Sequence, residues 1–151
     1  MKWTEVCLEE INIKDRKRGG KSITYGSLEK ALRFQIPKAI SQEGLLFMYD
    51  KYYLDLCISD EFRDWWTRLE KVLSPTMRSC IRDSDGRLRL RVDMHTEVFD
   101  ENSKLTFEEL KDGYLAGEVT VLVEVESVWE TENGSGLSVR AHQVKHCPFL
   151  L

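Results

Sequence analysis

The sequence predicts a mainly β protein with one long and one short helix, folded as a small barrel. Short runs in which apolar and polar residues alternate recur along most of the chain, which is the pattern of strands with one buried face. Only one stretch, near residues 62–73, has apolar residues at helical spacing over several turns. The chain has 151 residues, 42% of them apolar and 32% charged, which is the composition of one globular domain. We therefore expect a single domain over residues 1–151.

The first two strands are expected to form a hairpin, followed by two further strands. Apolar residues between Val6 and Ile13 indicate a strand with a slip or bulge near Glu10. A turn at 18–21 separates this strand from its partner at 22–25. The runs 32–36 and 52–58 also alternate, and Pro37 is expected to end the first of them because proline cannot donate a ladder hydrogen bond.

The long helix is predicted from apolar residues that recur every three or four positions. This stripe consists of Phe62, Trp65, Trp66, Leu69, Val72 and Leu73. Ser59 or Asp60 can cap the helix N-terminus, and Ser74–Pro75 ends the helix. Because both tryptophans lie on the stripe, we expect them to pack in the core rather than to stack on bases.

The second half of the chain is expected to be mainly β. A strand over 88–94 buries its apolar residues and points Arg87, Arg89 and Arg91 to the other side. The capping box Thr106-Phe-Glu-Glu begins the short helix, which ends near 112–113.

A closing hairpin completes the predicted elements. The runs 119–129 and 137–144 alternate, and the turn Asn133-Gly-Ser-Gly136 joins them. About seven strands with a helix among them fit an open Greek-key barrel of the OB type. Other small barrels have the same composition, so the elements alone leave the barrel type open.

The cysteines indicate the compartment. Cys7, Cys57, Cys80 and Cys147 lie far apart without a Cys-x-x-Cys pair, which is typical of reduced thiols in an intracellular protein. Cys7 and Cys57 lie in apolar runs and are expected in the core. The sequence has neither a signal-peptide pattern nor an apolar run of membrane-spanning length, so we expect no membrane partner.

The sequence contains no motif of a P-loop, a zinc protease or a serine hydrolase, and we expect no catalytic residue, metal or cofactor. His142 and His146 are about 13 Å apart on a predicted strand, which is too far to share one ion. Asp93, Glu124 and Glu126 have the residue types of a metal-dependent nuclease. However, no lysine follows two residues after either glutamate.

Charge is strongly segregated along the chain. The formal net charge of -4 excludes a histone-like coat on duplex DNA. Residues 14–21 nevertheless hold five cations and one anion, 78–91 hold five arginines and two aspartates, and 97–132 hold eleven carboxylates and two lysines. An acidic protein with two basic segments can still present one cationic groove. Solvated loops and strand faces give the same pattern, so charge alone leaves both interpretations open.

Basic and aromatic residues are neighbours on several predicted strands. Examples are Arg33–Phe34, Lys51–Tyr53, and Trp129 across the closing hairpin from Arg140. Proteins that bind single strands need cations for the phosphates and flat side chains for unstacked bases. The strands of barrel cores are also rich in aromatic residues, so no single pair distinguishes a nucleic-acid-binding surface from a core.

Three stretches carry a family resemblance. They are Leu32-Arg-Phe-Gln-Ile-Pro-Lys38, then Glu43-Gly-Leu45 with Tyr53-Leu-Asp-Leu56, and finally Gly117–Trp129 with Gly136–Lys145, which ends in Gln-Val-Lys. In this order they resemble the single-stranded DNA-binding proteins of large nucleocytoplasmic DNA viruses and some phages. Ile36 and Val139 depart from the commoner residues of that pattern. The resemblance implies an OB-like barrel that coats single-stranded DNA in replication, recombination or repair, without catalysis.

The resemblance and the charge pattern together give the expected nucleic-acid-binding residues. The cations are Lys14, Arg16, Lys17, Arg18, Lys21, Arg33, Arg87, Arg89, Arg91 and Arg140, and the stacking aromatics are Phe34, Tyr52, Tyr53 and Trp129. Binding is expected to tolerate sequence because every base has a π-face. Expected partners are single-stranded DNA, with RNA left open, and further copies of the chain or other replication proteins. The expected location is the compartment in which viral DNA is replicated.

A second interpretation belongs to a different functional class. The chain would be a β-barrel protein-interaction or scaffold module that docks through the acidic segment 97–132. The salt dependence of oligonucleotide binding distinguishes the DNA-binding interpretation from this one, because binding to phosphates weakens steeply with ionic strength. An interaction module would bind no oligonucleotide even at low salt.

Overall fold

The computed structural model describes residues 1–148, and in that range it contains ten strands, one α-helix and three short 3-10 turns. The strands are β1 (Ile11–Asp15), β2 (Lys21–Tyr25), β3 (Leu32–Ser41), β4 (Leu45–Met48), β5 (Lys51–Leu56), β6 (Leu88–Val92), β7 (Glu97–Phe99), β8 (Lys104–Leu105), β9 (Gly117–Thr131) and β10 (Gly134–Pro148). The helix α1 covers Asp60–Leu73, and the 3-10 turns cover Trp3–Glu5, Leu8–Glu10 and Phe107–Glu109. The protein is mainly β, as predicted.

The helix α1 has the predicted boundaries and the predicted buried stripe. The Ser59 hydroxyl accepts a hydrogen bond from the Phe62 backbone N–H at 3.1 Å, and the helix ends at Leu73, just before Ser74–Pro75. Trp65 and Trp66 are 6% and 0% exposed, so their predicted place in the core is confirmed.

The predicted short helix is only a 3-10 turn. Its capping box forms, since the Thr106 backbone N–H donates to Glu109 Oε1 at 3.2 Å. The turn ends after Glu109 because Leu110 adopts an extended backbone and buries its side chain in the core. Burial of one leucine therefore outweighs the local helix signal.

Two strand boundaries also differ from the prediction. β3 continues through Pro37 to Ser41, with a register shift on β9 between Ile36 and Ala39. Pro37 and Lys38 form this bulge, where a missing N–H is tolerated because the ladder skips it. At the N-terminus the strand begins only at Ile11 and a 3-10 turn precedes it.

The cysteine placements were predicted incorrectly. Cys7 is exposed because it lies between two 3-10 turns rather than on a strand, and Cys57 is half-buried just beyond the end of β5. All four cysteines of the chain lie within the described range and are free thiols.

The long strand β9 is the centre of a mixed sheet. It pairs antiparallel with β3 and β10, and the first two residues of β2 pair with its C-terminal part. β10 pairs in parallel with β6, and β6 pairs antiparallel with β5. The five central strands thus follow the path β3–β9–β10–β6–β5. The Cys57 backbone N–H donates to the Ile40 carbonyl at 2.8 Å and joins the two ends of this path.

The inner side of these strands forms one hydrophobic core. Residues such as Phe34, Leu54, Leu90 and Val123 are fully buried there, and α1 packs its tryptophans against them. The alternate residues of the same strands point away from the core, and we call this surface the outward side. Within residues 1–148, no helix combines the length and the apolar character needed to cross a bilayer.

Candidate nucleic-acid interface

A row of polar side chains crosses the outward side of the five strands. The pairing register aligns Arg33 with Glu124, Glu124 with Arg140, Arg140 with Arg91, and Arg91 with Tyr53. These five residues, which we call the central row, alternate with core residues along their own strands. The alternation places each one outward, and the register brings residues from distant parts of the chain side by side.

Arg140 is the most buried member of the central row. It is 6% exposed, and its guanidinium donates to both Asp93 oxygens at 3.1 and 3.2 Å and to Glu124 Oε2 at 3.2 Å. Burial alone would raise the pKa of Asp93, but hydrogen bonds from Arg140 and the His95 backbone outweigh it and hold the pKa below its usual range. Arg140 is therefore occupied by carboxylates, and we leave it out of the proposed contacts with nucleic acid.

The arginines of β6 lie on the outward side, as predicted, but they do not form a free cationic stripe. Arg89 binds Asp55 with two hydrogen bonds of 2.8 and 2.9 Å, and Arg91 Nη2 donates to Glu126 at 2.8 Å. Burial would raise the pKa of Asp55, yet Arg89 and Arg82 together lower it. Arg87, directly before β6, donates to the Gln42 side chain at 2.5 Å and lies 3.5 Å from a Glu43 oxygen. Carboxylates from other segments therefore offset much of the positive charge of these three arginines.

The turn between β1 and β2 carries positive charge without such partners. Arg16, Lys17 and Arg18, which we call the basic turn, are exposed, and no carboxylate within residues 1–148 pairs with them. Gly20 has a φ of +79° and approaches the Val128 carbonyl so closely that a Cβ would not fit. This contact holds the basic turn against the C-terminal part of β9. The two lysines that flank the basic turn are less available than its three cations. Lys14 pairs with Glu29 at 2.6 Å, and Lys21 is half-buried beside β9.

A cleft of about 320 Å³ lies between β5–β6 and the end of the β9–β10 hairpin. The basic turn is linked to it through Gly20, which approaches the backbone of Val128 and of the cleft residue Trp129. Its walls include Tyr53 and Trp129, together with Lys51, Arg89 and Arg91. The Arg89 guanidinium lies over the Tyr53 ring at 5.5 Å from the centroid. The cleft therefore combines two aromatic side chains with three cationic ones.

Trp129 is 41% exposed and lies over the backbone of Gly136 on the neighbouring strand. A Cβ at Gly136 would be 2.5 Å from Trp129 Cζ2, so only glycine leaves space for the indole there. Cys80 also lines the cleft, and burial, followed by the nearby Glu70 carboxylate, raises the pKa of its thiol to about 12. The thiol is consequently a neutral part of the wall.

The other two predicted stacking residues point elsewhere. Tyr52, the strand neighbour of Tyr53, packs its ring on Phe47 and Phe107 at centroid distances of 5.1 and 5.8 Å. Its hydroxyl donates to the Leu110 carbonyl at 3.0 Å. Phe34 is fully buried and contacts Trp65 edge-on, so it offers no ring face to a base, and we leave it out of the interface.

Two cations near the cleft were left out of the expected binding residues. Lys51 is exposed at the start of β5, and its place directly before the two tyrosines had already marked it as the basic neighbour of an aromatic residue. Arg78 is exposed beside the β9–β10 turn because its backbone N–H donates to the Ser135 carbonyl at 2.9 Å. The irregular segment around Arg78 has no periodicity from which this contact could be inferred.

The carboxylates that resembled a nuclease set are bound to arginines instead. Asp93, Glu124 and Glu126 pair with Arg140 and Arg91, and Glu124 also accepts from Arg33 Nε at 2.7 Å. In the described part of the chain, no group of three or more His, Cys, Asp or Glu side chains is arranged to hold a metal ion.

Comparison with known proteins identifies the fold. No protein-family model and no curated protein matches the chain. The chain is similar to a solved structure of the single-stranded DNA-binding protein from bacteriophage Enc34 with a C-terminal truncation, at 13% identity and a TM-score of 0.51, covering 93% of this chain and 95% of that one. Two further structures of that protein have 12% identity. The structure in complex with single-stranded DNA has a TM-score of 0.48, and the match covers 93% of this chain and 97% of that chain. The other structure has a TM-score of 0.45, and the match covers 92% of this chain and 93% of that chain. This chain thus shares its overall fold with a phage single-stranded DNA-binding protein.

Proposed function

We propose that this chain binds single-stranded DNA with little sequence preference, through the cleft and the basic turn. The cleft carries the proposal, because Tyr53 and Trp129 offer stacking surfaces beside Lys51. The basic turn adds exposed cations, and its Gly20 approaches the backbone of Val128 and Trp129. Proteins that bind single strands combine such aromatic platforms with a cationic path for the backbone. The fold shared with a phage protein named for this ligand supports the same ligand here.

The strand order supports an OB-like barrel as the scaffold. Among the five central strands, β3 is the first in chain order, β5 and β6 are the second and third, and β9 and β10 are the last two. OB folds bind oligonucleotides on strands two and three and on the loops between strands one and two and between strands four and five. In this chain those elements are β5, β6, the segment that includes β4, and the β9–β10 turn. Three of these four contribute residues to the cleft or border it.

The proposed role is to coat exposed strands during replication, recombination or repair, in the compartment where viral or phage DNA is copied. This role requires binding alone and no catalytic group. The resemblance to proteins of large nucleocytoplasmic DNA viruses belongs to the same proposal. RNA, self-association and contacts with other replication proteins are further expectations.

Titration with labelled oligonucleotides at two salt concentrations tests the proposal. We expect a dT16 single strand to bind more tightly than a 16-base-pair duplex, since stacking in the cleft needs unpaired bases. The logarithm of affinity should fall with the logarithm of salt by about 0.7 per phosphate contacted. The Trp129→Ala variant should bind more weakly, whereas Tyr114→Ala, which removes an equally exposed ring that does not line the cleft, serves as the matched control.

Equal affinity for single strands and duplex would contradict the proposed mode of binding. An absence of any binding at low salt would contradict the function itself. That second result would favour an interaction module that docks through the acidic segment 97–132.

A further inference from the structure

We infer that a second pocket on the outward side binds a nucleobase, so that a nucleic acid strand crosses the sheet instead of stopping at the cleft. The inference rests on the proposed function. The pocket has a volume of about 290 Å³ and lies between β3, β9, β10 and β7. Its lining consists of Gln35, Phe99, Thr120, Leu122, Gln143 and Lys145.

The polar groups of this pocket match the edge of a base. The Gln35 side chain is exposed and makes no hydrogen bond within residues 1–148. The Gln143 amide nitrogen donates only a long bond of 3.4 Å, to Glu97, which leaves its carbonyl oxygen available. Side-chain amides carry a donor and an acceptor side by side, and this is the pattern that base edges present. The pocket can therefore hold a base by paired hydrogen bonds.

An aromatic ring completes the pocket. Phe99 is half-buried, and the Lys104 ammonium lies 5.9 Å from its ring centroid on the neighbouring strand. Unstacked bases commonly lie on aromatic side chains while amides contact their edges. Leu122 provides an apolar contact on the adjacent strand.

The charge of the second pocket differs from that of the cleft. Glu97 lies 3.3 Å from the Lys104 ammonium, and two more carboxylates, Glu101 and Glu118, line the adjoining cavity with Lys145. Positive and negative charges are thus nearly balanced around the pocket. Binding there should come from contacts with the base and not with phosphates, so it should change little with salt, whereas binding at the cleft should respond strongly to salt.

One strand of nucleic acid can reach both sites. Ser138 lines the cleft and Gln143 lines the second pocket, and both lie on β10. Five residues of strand separate them by about 16 Å. The central row lies between them, and Arg33 there is 44% exposed and binds Glu124 through Nε alone. A dinucleotide held in the cleft cannot span this distance, because it has a single internucleotide linkage.

The test compares two-nucleotide strands, which can occupy one site only, with sixteen-nucleotide strands, the upper end of the site sizes seen for one OB fold. Phe99→Leu keeps an apolar side chain and removes the ring, and Gln143→Ala removes the amide. The matched control is Tyr114→Leu, since the exposed Tyr114 lines neither site. Phe47 is unsuitable as a control, because β4 belongs to a segment with which OB folds contact oligonucleotides. Affinities would be measured by competition against labelled dT16, after thermal melts confirm that each variant is folded.

We expect the Phe99 and Gln143 variants to lose about fivefold or more in affinity for sixteen nucleotides, with the salt slope unchanged. Their affinity for two nucleotides should equal that of the wild type. Unchanged affinity for sixteen nucleotides would overturn the second pocket while the proposed function stands. An equal loss for both lengths would also overturn it, because the residues would then act through the cleft. If the wild type binds neither strand, the proposed function fails and this inference fails with it.

Discussion

Replacing Arg140 by methionine tests whether the central row stabilises the sheet. The Arg140 side chain is 7% exposed, and it donates three hydrogen bonds to Asp93 and Glu124. Methionine keeps a long apolar side chain but removes the charge and all donors. The two carboxylates then lose their shared partner while they remain partly buried.

The expected cost follows from what each carboxylate retains. Breaking a buried ion pair by removing one partner costs about 3–5 kcal/mol. Here Asp93 keeps a hydrogen bond from the His95 backbone at 2.9 Å, and Glu124 keeps the bond from Arg33 at 2.7 Å. The Asp93 side chain is also 27% exposed, so water can solvate it. We therefore expect a loss of about 2–3 kcal/mol, which lowers the Tm of a domain of this size by roughly 5–10 °C.

The loss should depend on pH with a defined sign. Burial would raise the pKa values of Asp93 and Glu124, but hydrogen bonds and ion pairs to arginine hold both below their ordinary range in the folded protein. Their contribution to the free energy of unfolding is therefore complete above the unfolded values near ~4, and it is lost as the pH falls through the folded values. The difference between wild type and variant should be largest at pH 7 and should narrow below about pH 4.

Urea unfolding at pH 7, 5 and 3.5 measures this difference. The control is Lys14→Met, because the Lys14–Glu29 pair is 65% and 50% exposed and such pairs contribute about 0.5 kcal/mol or less. If Arg140→Met costs no more than the control, or costs the same at every pH, the central row does not stabilise the sheet.

Three further predictions concern packing and binding. Trp65→Ala or Trp66→Ala should cost about 3–5 kcal/mol of stability, measured by thermal melts, without changing the affinity of the folded fraction for dT16. Tyr53→Ala should weaken oligonucleotide binding by about 1–3 kcal/mol, whereas Tyr52→Ala should mainly lower the Tm; the reverse pattern would mean that the tyrosine faces are misassigned. Replacing residues 16–18 with alanine should reduce affinity equally for all base compositions and lower the salt slope by up to about 2, and an unchanged slope would place the basic turn outside the interface.

Periodicity predicted the elements in which one face is buried over many residues. The helix α1 and the hairpin of β9 and β10 have long apolar faces, so their pattern is visible in the sequence alone. The strands β4, β7 and β8 have four, three and two residues, and no alternation can be read over so short a run. They form because β4 can pair with β5, β7 with β10, and β8 with β7, which is a tertiary effect.

The side of each strand was also predictable, but the partners across strands were not. Alternation alone implies that Arg33 and Phe34 point to opposite sides, so Phe34 could have been assigned to the core from the sequence. The partner of Arg89 is Asp55, 34 residues away, and its position depends on the register between β5 and β6. Register is set by packing of the whole sheet. A count of the arginines along one strand therefore overestimated their net positive charge, because the carboxylates that pair with them lie on other segments.

The central place of β9 has a consequence for synthesis of the protein on the ribosome. β2 and β3 both hydrogen-bond to β9, yet residues 42–131 must still be translated after β3 has appeared, which takes about 5–20 s at ordinary rates. During that interval the apolar residues Leu32, Phe34 and Ile36 have no strand to cover them. Pro37 and the charged residues around this segment would then act as gatekeepers that keep nascent chains from pairing with one another. A ribosome stalled before residue 117 would hold a chain in which β3 still lacks its partner strand and is open to pairing with another chain.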